Sequence, residues 1–256
     1  MKYFNKALIV LLVSVLSACA GPTPKEVEDE RVDKEGAVIN AQLAGGYIRR
    51  GDLEIAKEKL LKSIKLDSTY VPAYTTMAVL MTMINKPIEA ENYYLQALDL
   101  DPENPELLNN YGTFLCKNKK YSEAFEMFDK VLANSFYETP EVVQENYGYC
   151  LLQNDKPDYK AAEEHLRQAL KANPEQASAL LAMAELGIAT KKYLMVRAYT
   201  QRYHALARAS AHSLWVQIQA EHALNDRKYF LQLSKKLMEH FPRSNEASLL
   251  MKLPPL

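Results

Sequence analysis

The chain has 256 residues, of which 48% are hydrophobic and 25% are charged, and its formal net charge is −1. This balance is normal for a globular protein, and the length is enough for one or two domains. A near-neutral charge without a polybasic stretch argues against nucleic acid as a partner. Glycine is scarce, with 8 residues in the whole chain, and this favours helices over sheets joined by tight turns.

The first 18 residues have the organisation of an export signal. Lys2 and Lys6 precede an apolar run over residues 7–16, which is shorter than the roughly 20 residues needed to span a bilayer. The run is followed by Ser-Ala-Cys, and Leu16 to Cys19 resembles the lipobox of bacterial lipoproteins. That resemblance implies cleavage before Cys19, lipid on its thiol, and, because Ala20 is not aspartate, anchoring at the periplasmic face of the outer membrane. The alternative is a plain secretory signal that leaves a free thiol.

Residues 19–36 are predicted to form a flexible tether behind the lipidated cysteine. The segment is polar and charged and contains two prolines. It has too few apolar side chains to fold independently. We therefore expect it to hold the folded part of the chain away from the membrane.

From residue 37 onward the sequence repeats with a period of 34. Two columns hold small residues that let paired helices approach, and a third holds large apolar residues that fill the space beyond. The columns are Ala44, Ala78 and Gly112; Ala56, Ala90 and Ala124; and Leu60, Tyr94 and Phe128. Period and column chemistry resemble the tetratricopeptide repeat, in which each unit is a helix A, a turn and a helix B.

This resemblance predicts an all-α, right-handed superhelical solenoid of about six repeats. The repeat domain covers residues 37–246, followed by a tail over residues 247–256 whose last five residues are not expected to be helical. The predicted units are 37–70, 71–104, 105–138, 141–176, 177–210 and 211–246.

Cys116 and Cys150 remain once Cys19 is assigned to lipid. Each lies in a predicted helix A, in the third and fourth repeats, and these helices should be neighbours. Two interpretations stay open: a pair of buried free thiols, or a disulfide between the repeats, which an oxidising compartment would permit.

Helices A of such a solenoid line a concave groove of a kind that binds peptides. Asn110 and Asn146 match an asparagine of the clamp by which chaperone-binding repeats hold a peptide carboxylate. The lysine and arginine of that clamp are missing, and Val142 and Glu145 occur nearby, so we do not expect such a clamp. By resemblance to the superfamily, the groove positions are Val38, Ala41, Ile48, Thr75, Val79, Met83, Asn109 and Thr113.

No catalytic motif is present, so we do not expect an enzyme, a cofactor, a metal or a small-molecule substrate. Gly45, Gly46 and Gly51 lack the spacing and the following Lys-Ser/Thr of a phosphate-binding loop. The histidines never occur as a pair four residues apart, which would suggest a helical metal site. They are His165, His204, His212, His222 and His240.

The lipobox, the short tether and the repeats, together with two Asn-Tyr-Gly stretches that each precede a cysteine (residues 109–116 and 145–150), resemble the type IV pilus pilotins, the PilF/PilW family. This resemblance implies an outer-membrane lipoprotein that binds subunits of the secretin pore and promotes their localisation and multimerisation. We expect the chain to be monomeric. The alternative is another periplasmic lipoprotein adaptor, for cell-wall hydrolases and proteases or for β-barrel assembly, because the repeat serves many binding functions.

Overall fold

A computed structural model of the chain describes residues 23–254 and 256, and this part is all-α, with thirteen helices and no strand. The helices are α1 (Pro24–Arg50), α2 (Leu53–Leu66), α3 (Val71–Met83), α4 (Pro87–Leu100), α5 (Pro105–Lys117), α6 (Tyr121–Ala133), α7 (Pro140–Gln153), α8 (Tyr159–Ala172), α9 (Ala177–Ala189), α10 (Tyr193–Leu206), α11 (Ala211–Ala223), α12 (Arg227–His240) and α13 (Asn245–Leu250).

The first twelve helices pack as six consecutive hairpins, from α1–α2 to α11–α12. The chain divides into two compact units, one ending at Pro102 and one beginning at Glu103. Within each unit the first helix of a hairpin contacts the first helix of the next: α1 contacts α3, and α5, α7, α9 and α11 form a series. The predicted all-α fold of tetratricopeptide repeats is confirmed.

The turn inside most hairpins requires a left-handed residue. Gly51 ends α1 with φ 85°, and its N–H donates to the carbonyls of the last helical turn. Asn85, Lys119, Lys191 and Asn225 occupy the same conformation at φ 57–62°, which asparagine tolerates better than most residues with a Cβ. The turn therefore recurs with the repeat, although its residue type varies.

The small residues of the repeat columns allow the close contact inside each hairpin. Ala44, Ala78, Ala56 and Ala90 are fully buried. At Gly112 an added Cβ would lie 2.7 Å from the Cε1 atom of the buried Phe128 ring. The small residues in these columns are therefore explained by the short distance between the two helices of each hairpin.

The prediction of a flexible tether over residues 19–36 was wrong from Pro24 onward, where α1 begins. The hydroxyl of Thr23 accepts from the N–H of Glu26, and the Glu26 carboxylate accepts from the N–H of Thr23, which caps the helix. Arg31 pairs with acidic residues one turn before and after it, and Lys34 pairs with one a turn before. The helix then continues without a break into its second half, one side of which is buried. Packing therefore stabilises the later turns, and local side-chain pairs support the exposed first turns. Residues 19–22 lie outside the described part of the chain.

The first four residues of the tail predicted over residues 247–256 belong to α13, which ends before the five residues that are not expected to be helical. The Ser244 hydroxyl accepts from the N–H of Ala247 at 3.0 Å and caps this short helix. Beyond it, Leu253 and Leu256 pack on the cluster formed by Leu214, Phe230 and Leu237. The tail therefore covers apolar surface of the sixth hairpin.

No helix in the described part of the chain has both the length and the apolar character needed to cross a bilayer.

Candidate functional site

Five of the predicted groove positions lie in the first unit with some side-chain surface exposed. On α3 they follow one face at four-residue spacing, ending at Met83, which is 52% exposed. Because α1 and α3 are in contact, the two helices can present one continuous surface of apolar and hydroxyl-bearing side chains. The five are Val38 and Ile48 on α1 and Thr75, Val79 and Met83 on α3.

Two other predicted groove positions are corrected by the structure. Ala41 is only 8% exposed and Asn109 only 6%, so neither offers useful contact area to a ligand. Asn109 instead accepts a hydrogen bond through Oδ1 from Nδ2 of Asn146, at 2.9 Å, which joins α5 to α7. Both positions lie between helices, where the tight packing of the repeats removes the surface that helix periodicity alone would assign. Thr113, the remaining predicted position, is exposed.

An apolar stripe on α1 was missed by the sequence analysis. Val32, Ile39 and Leu43 are about half exposed and lie on one side of the helix at spacings of seven and four. Beside them a depression of about 470 Å³ is lined in part by Tyr47 and Arg50. The spacing was visible in the sequence. The stripe is absent from the predicted groove because the prediction makes residues 19–36 a tether and assigns only one side of the following helix.

In the second unit the first helices of successive hairpins are joined by polar side chains. The Glu145 carboxylate accepts hydrogen bonds from Gln176 at 2.5 Å and from Ser178 at 2.7 Å. One repeat further on, His212 Nε2 lies 2.6 Å from a carboxylate oxygen of Glu185. This face is therefore more polar than the corresponding face of the first unit.

Two ionisable groups on this face are perturbed by their neighbours. The hydrogen bond to Glu185 raises the pKa of His212. Burial raises the pKa of Tyr149, and the negative charge of Glu185 adds to the effect. The Tyr149 hydroxyl therefore stays protonated at neutral pH and can donate a hydrogen bond.

The structure joins Cys116 and Cys150 in a disulfide with a Cα–Cα distance of 5.8 Å. The bond crosses from α5 to α7, next to the Asn109–Asn146 hydrogen bond. Beside it lies a cavity of about 400 Å³. We call it the disulfide cavity; its lining includes Thr113, Cys116, Lys117, Lys119, Asn146 and Tyr149.

The described residues contain no group of three or more His, Cys, Asp or Glu side chains that could hold a metal ion. His165 stacks on the ring of Tyr147 with 4.2 Å between centroids and lies 2.6 Å from an amide oxygen of Gln144. Such contacts are typical of a structural histidine. Cys19, the predicted lipidation site, lies outside the described residues.

Two segments of the chain, residues 93–126 and 155–194, match the tetratricopeptide repeat family. The chain is 31% identical to the type IV pilus assembly protein PilF of Pseudomonas aeruginosa over 243 residues, which are 94% of this chain and 95% of that protein. The crystal structure of PilW, a widely conserved type IV pilus biogenesis factor, superposes with a TM-score of 0.76 at 26% identity, covering 84% of this chain and 98% of PilW. The structure of P. aeruginosa PilF gives 0.72 at 30% identity, covering 86% and 98%.

Proposed function

Because this chain belongs to the PilF/PilW family of type IV pilus biogenesis proteins, we propose that it is an outer-membrane lipoprotein that binds secretin subunits and promotes their localisation and multimerisation. The observation that carries this proposal is the 31% identity to PilF over 94% of the chain. Such coverage includes both compact units, so the relationship is not limited to the generic pattern of the repeat. A role in pilus assembly through protein contacts follows from the family and the fold, and the secretin is the partner that we propose.

The proposed binding surface is the face shared by α1 and α3 in the first unit. Thr75, Val79 and Met83 form one row on α3, and Val38 and Ile48 contribute from α1. An apolar segment of a partner laid against this face would gain by removing these side chains from water. Completing the burial of a half-exposed methionine is worth about 1 kcal/mol, or roughly fivefold in affinity.

Lipid on Cys19 would supply the second part of the mechanism. A chain carrying more than one acyl group stays on a membrane, whereas a single chain dissociates readily. A secretin subunit held by the repeats would therefore be carried to the membrane where the pore must assemble. Four residues separate Cys19 from the start of α1 at Pro24, so the first unit would lie close to the lipid.

The proposal is tested in a deletion strain that expresses either the wild-type chain or a variant. Val79→Thr with Met83→Gln makes the proposed face polar with little change in volume. Ile39→Gln is the matched control, because Ile39 is 54% exposed against 52% for Met83 but belongs to the stripe on α1. Heat-resistant secretin multimers in outer-membrane fractions and surface pili are measured, with circular dichroism to confirm that each variant folds.

We expect the deletion to remove multimers and pili, the double variant to restore them poorly, and Ile39→Gln to restore them fully. Normal multimers and normal pili in the deletion strain would contradict the proposed function itself. A defect in Ile39→Gln with full activity of the double variant would leave the function standing but move the binding surface to the stripe on α1.

A further inference from the structure

The disulfide cavity has a positive lining on a chain whose net charge is −1. Its lining residues include Lys117 and Lys119 and no aspartate or glutamate. Within the described residues neither lysine forms a salt bridge, and both are exposed. An anionic group entering the cavity would therefore meet two unneutralised positive charges.

Neutral hydrogen-bond donors add to the two charges. Asn146 uses one N–H of its amide to bind Asn109, and an asparagine amide carries a second N–H. Tyr149 lines the same cavity with a hydroxyl that stays protonated at neutral pH. Two cations with amide and hydroxyl donors match the two acceptor oxygens of a carboxylate.

The cavity is also held in shape before any ligand arrives. The Cys116–Cys150 disulfide and the Asn146–Asn109 hydrogen bond both connect α5 to α7 beside it. A site that does not need to be ordered on binding loses less affinity to conformational entropy. Its volume of about 400 Å³ is at the lower end of ligand-binding pockets, which suits one or two residues of a peptide.

Nothing in the backbone explains why a lysine stands at position 119. The residue has φ 62°, and the equivalent turns of other repeats place Asn85, Lys191 and Asn225 at φ 57–59°. Asparagine fits this conformation at least as well as lysine. The side chain of Lys119 is therefore free to serve a purpose other than the turn, and Lys119→Asn removes its charge without disturbing the fold.

We propose that the disulfide cavity binds a carboxylate of an extended protein segment, through Lys117, Lys119, Asn146 and Tyr149. Thr113, a predicted groove position, also lines the cavity, so a segment lying along the first helices of the second unit would bring a carboxylate to it. The carboxylate can come from an Asp or Glu side chain or from a chain terminus. This site is independent of the proposed secretin contact in the first unit and does not require the partner to be a secretin.

The test measures fluorescence anisotropy of labelled octapeptides with the whole purified chain in detergent. The first peptide alternates Asp and Ser and has both ends blocked. The second alternates Asn and Ser and ends in a free carboxylate, and the third is the same neutral peptide with both ends blocked. The variants are the double substitution Lys117→Gln, Lys119→Asn and the control Lys191→Asn, which repeats the change at Lys119 in the same left-handed turn of another repeat.

At least one carboxylate-bearing peptide should bind at least about tenfold more tightly than the blocked neutral peptide, because hydrogen bonds to charged groups are the stronger class. Binding of the first peptide alone identifies a side-chain carboxylate as the ligand, and binding of the second alone identifies a chain terminus. The double variant should lose about tenfold in affinity, and Lys191→Asn should stay within about twofold of wild type. Equal binding of all three peptides, no binding of any, an unaffected double variant, or an equal loss in Lys191→Asn would each overturn the proposal.

Discussion

Removing the disulfide between Cys116 and Cys150 should destabilise the second unit by about 3–4 kcal/mol. The two residues are 34 apart in sequence, and the loss of loop-closure entropy for a loop of this size corresponds to about 4 kcal/mol at 25 °C. Because this treatment gives the upper part of the range found for disulfides, we place the expected loss slightly lower. Replacing both residues by alanine removes the bond without burying a new polar group.

The assay is urea unfolding followed by circular dichroism, with the wild-type chain compared with the double alanine variant. For a slope of about 2 kcal/mol per molar urea, the midpoint of the second unit should fall by roughly 1.5–2 M. A reductant provides the internal control. Wild-type protein that is unfolded, reduced and refolded in reductant should show the lower midpoint, and the alanine variant should not respond to reductant.

Two results would refute this reasoning. Equal midpoints for the wild-type and alanine chains would show that the bond does not constrain the unfolded chain as calculated. Labelling of both thiols by iodoacetamide in protein unfolded without reductant would show that the cysteines are not bonded.

Three further predictions test packing, the buried charges and the anchor. Gly112→Ala should destabilise the second unit by about 1–2 kcal/mol in urea unfolding, because overpacking against Phe128 outweighs the gain in helix propensity; a stabilised variant would refute the contact. Glu221→Ala should cost about 2 kcal/mol in the same assay, because the buried carboxylate of Glu221 loses its hydrogen bonds with Arg197 while Arg197 keeps its ion pair with Asp226; a loss below about 0.5 kcal/mol would contradict this. Cys19→Ala should leave the melting curve and partner binding in solution unchanged and abolish secretin multimers in outer-membrane fractions, and wild-type multimers in that strain would show that the anchor is dispensable.

Much of the fold could be predicted because the repeat columns report a distance between helices. A fully buried small residue such as Ala90 and a buried ring such as Phe128 are required at fixed places in each hairpin. The period of 34 residues therefore predicts a series of packed helix pairs. The start of α1 could not be predicted in this way. Residues 24–36 are almost wholly exposed and are helical because of a capping box, local ion pairs and continuity with the buried part, none of which gives an apolar pattern.

The candidate sites were less predictable, for two physical reasons. Helix periodicity identifies the side of a helix but not the depth of each residue, so Ala41 and Asn109 were assigned to the groove although they pack between helices. The lysines of the disulfide cavity lie at the end of α5 and in the turn after it, where no periodic pattern applies. The pairing of Cys116 with Cys150 needed coordinates, because their placement in adjacent repeats allowed both a bond and two free thiols.

The two proposed surfaces differ in what they can recognise. The face of α1 and α3 offers apolar and hydroxyl-bearing side chains. Such a face can bind many different apolar segments and discriminates weakly among them. The disulfide cavity offers hydrogen-bond donors and two cations beside a cross-link, and a ligand that lacks the carboxylate would leave these groups without a partner. A ligand altered only in its carboxylate should therefore lose affinity for the disulfide cavity and keep its affinity for the face of α1 and α3. A ligand altered only in its apolar side chains should show the reverse, because the two sites act independently.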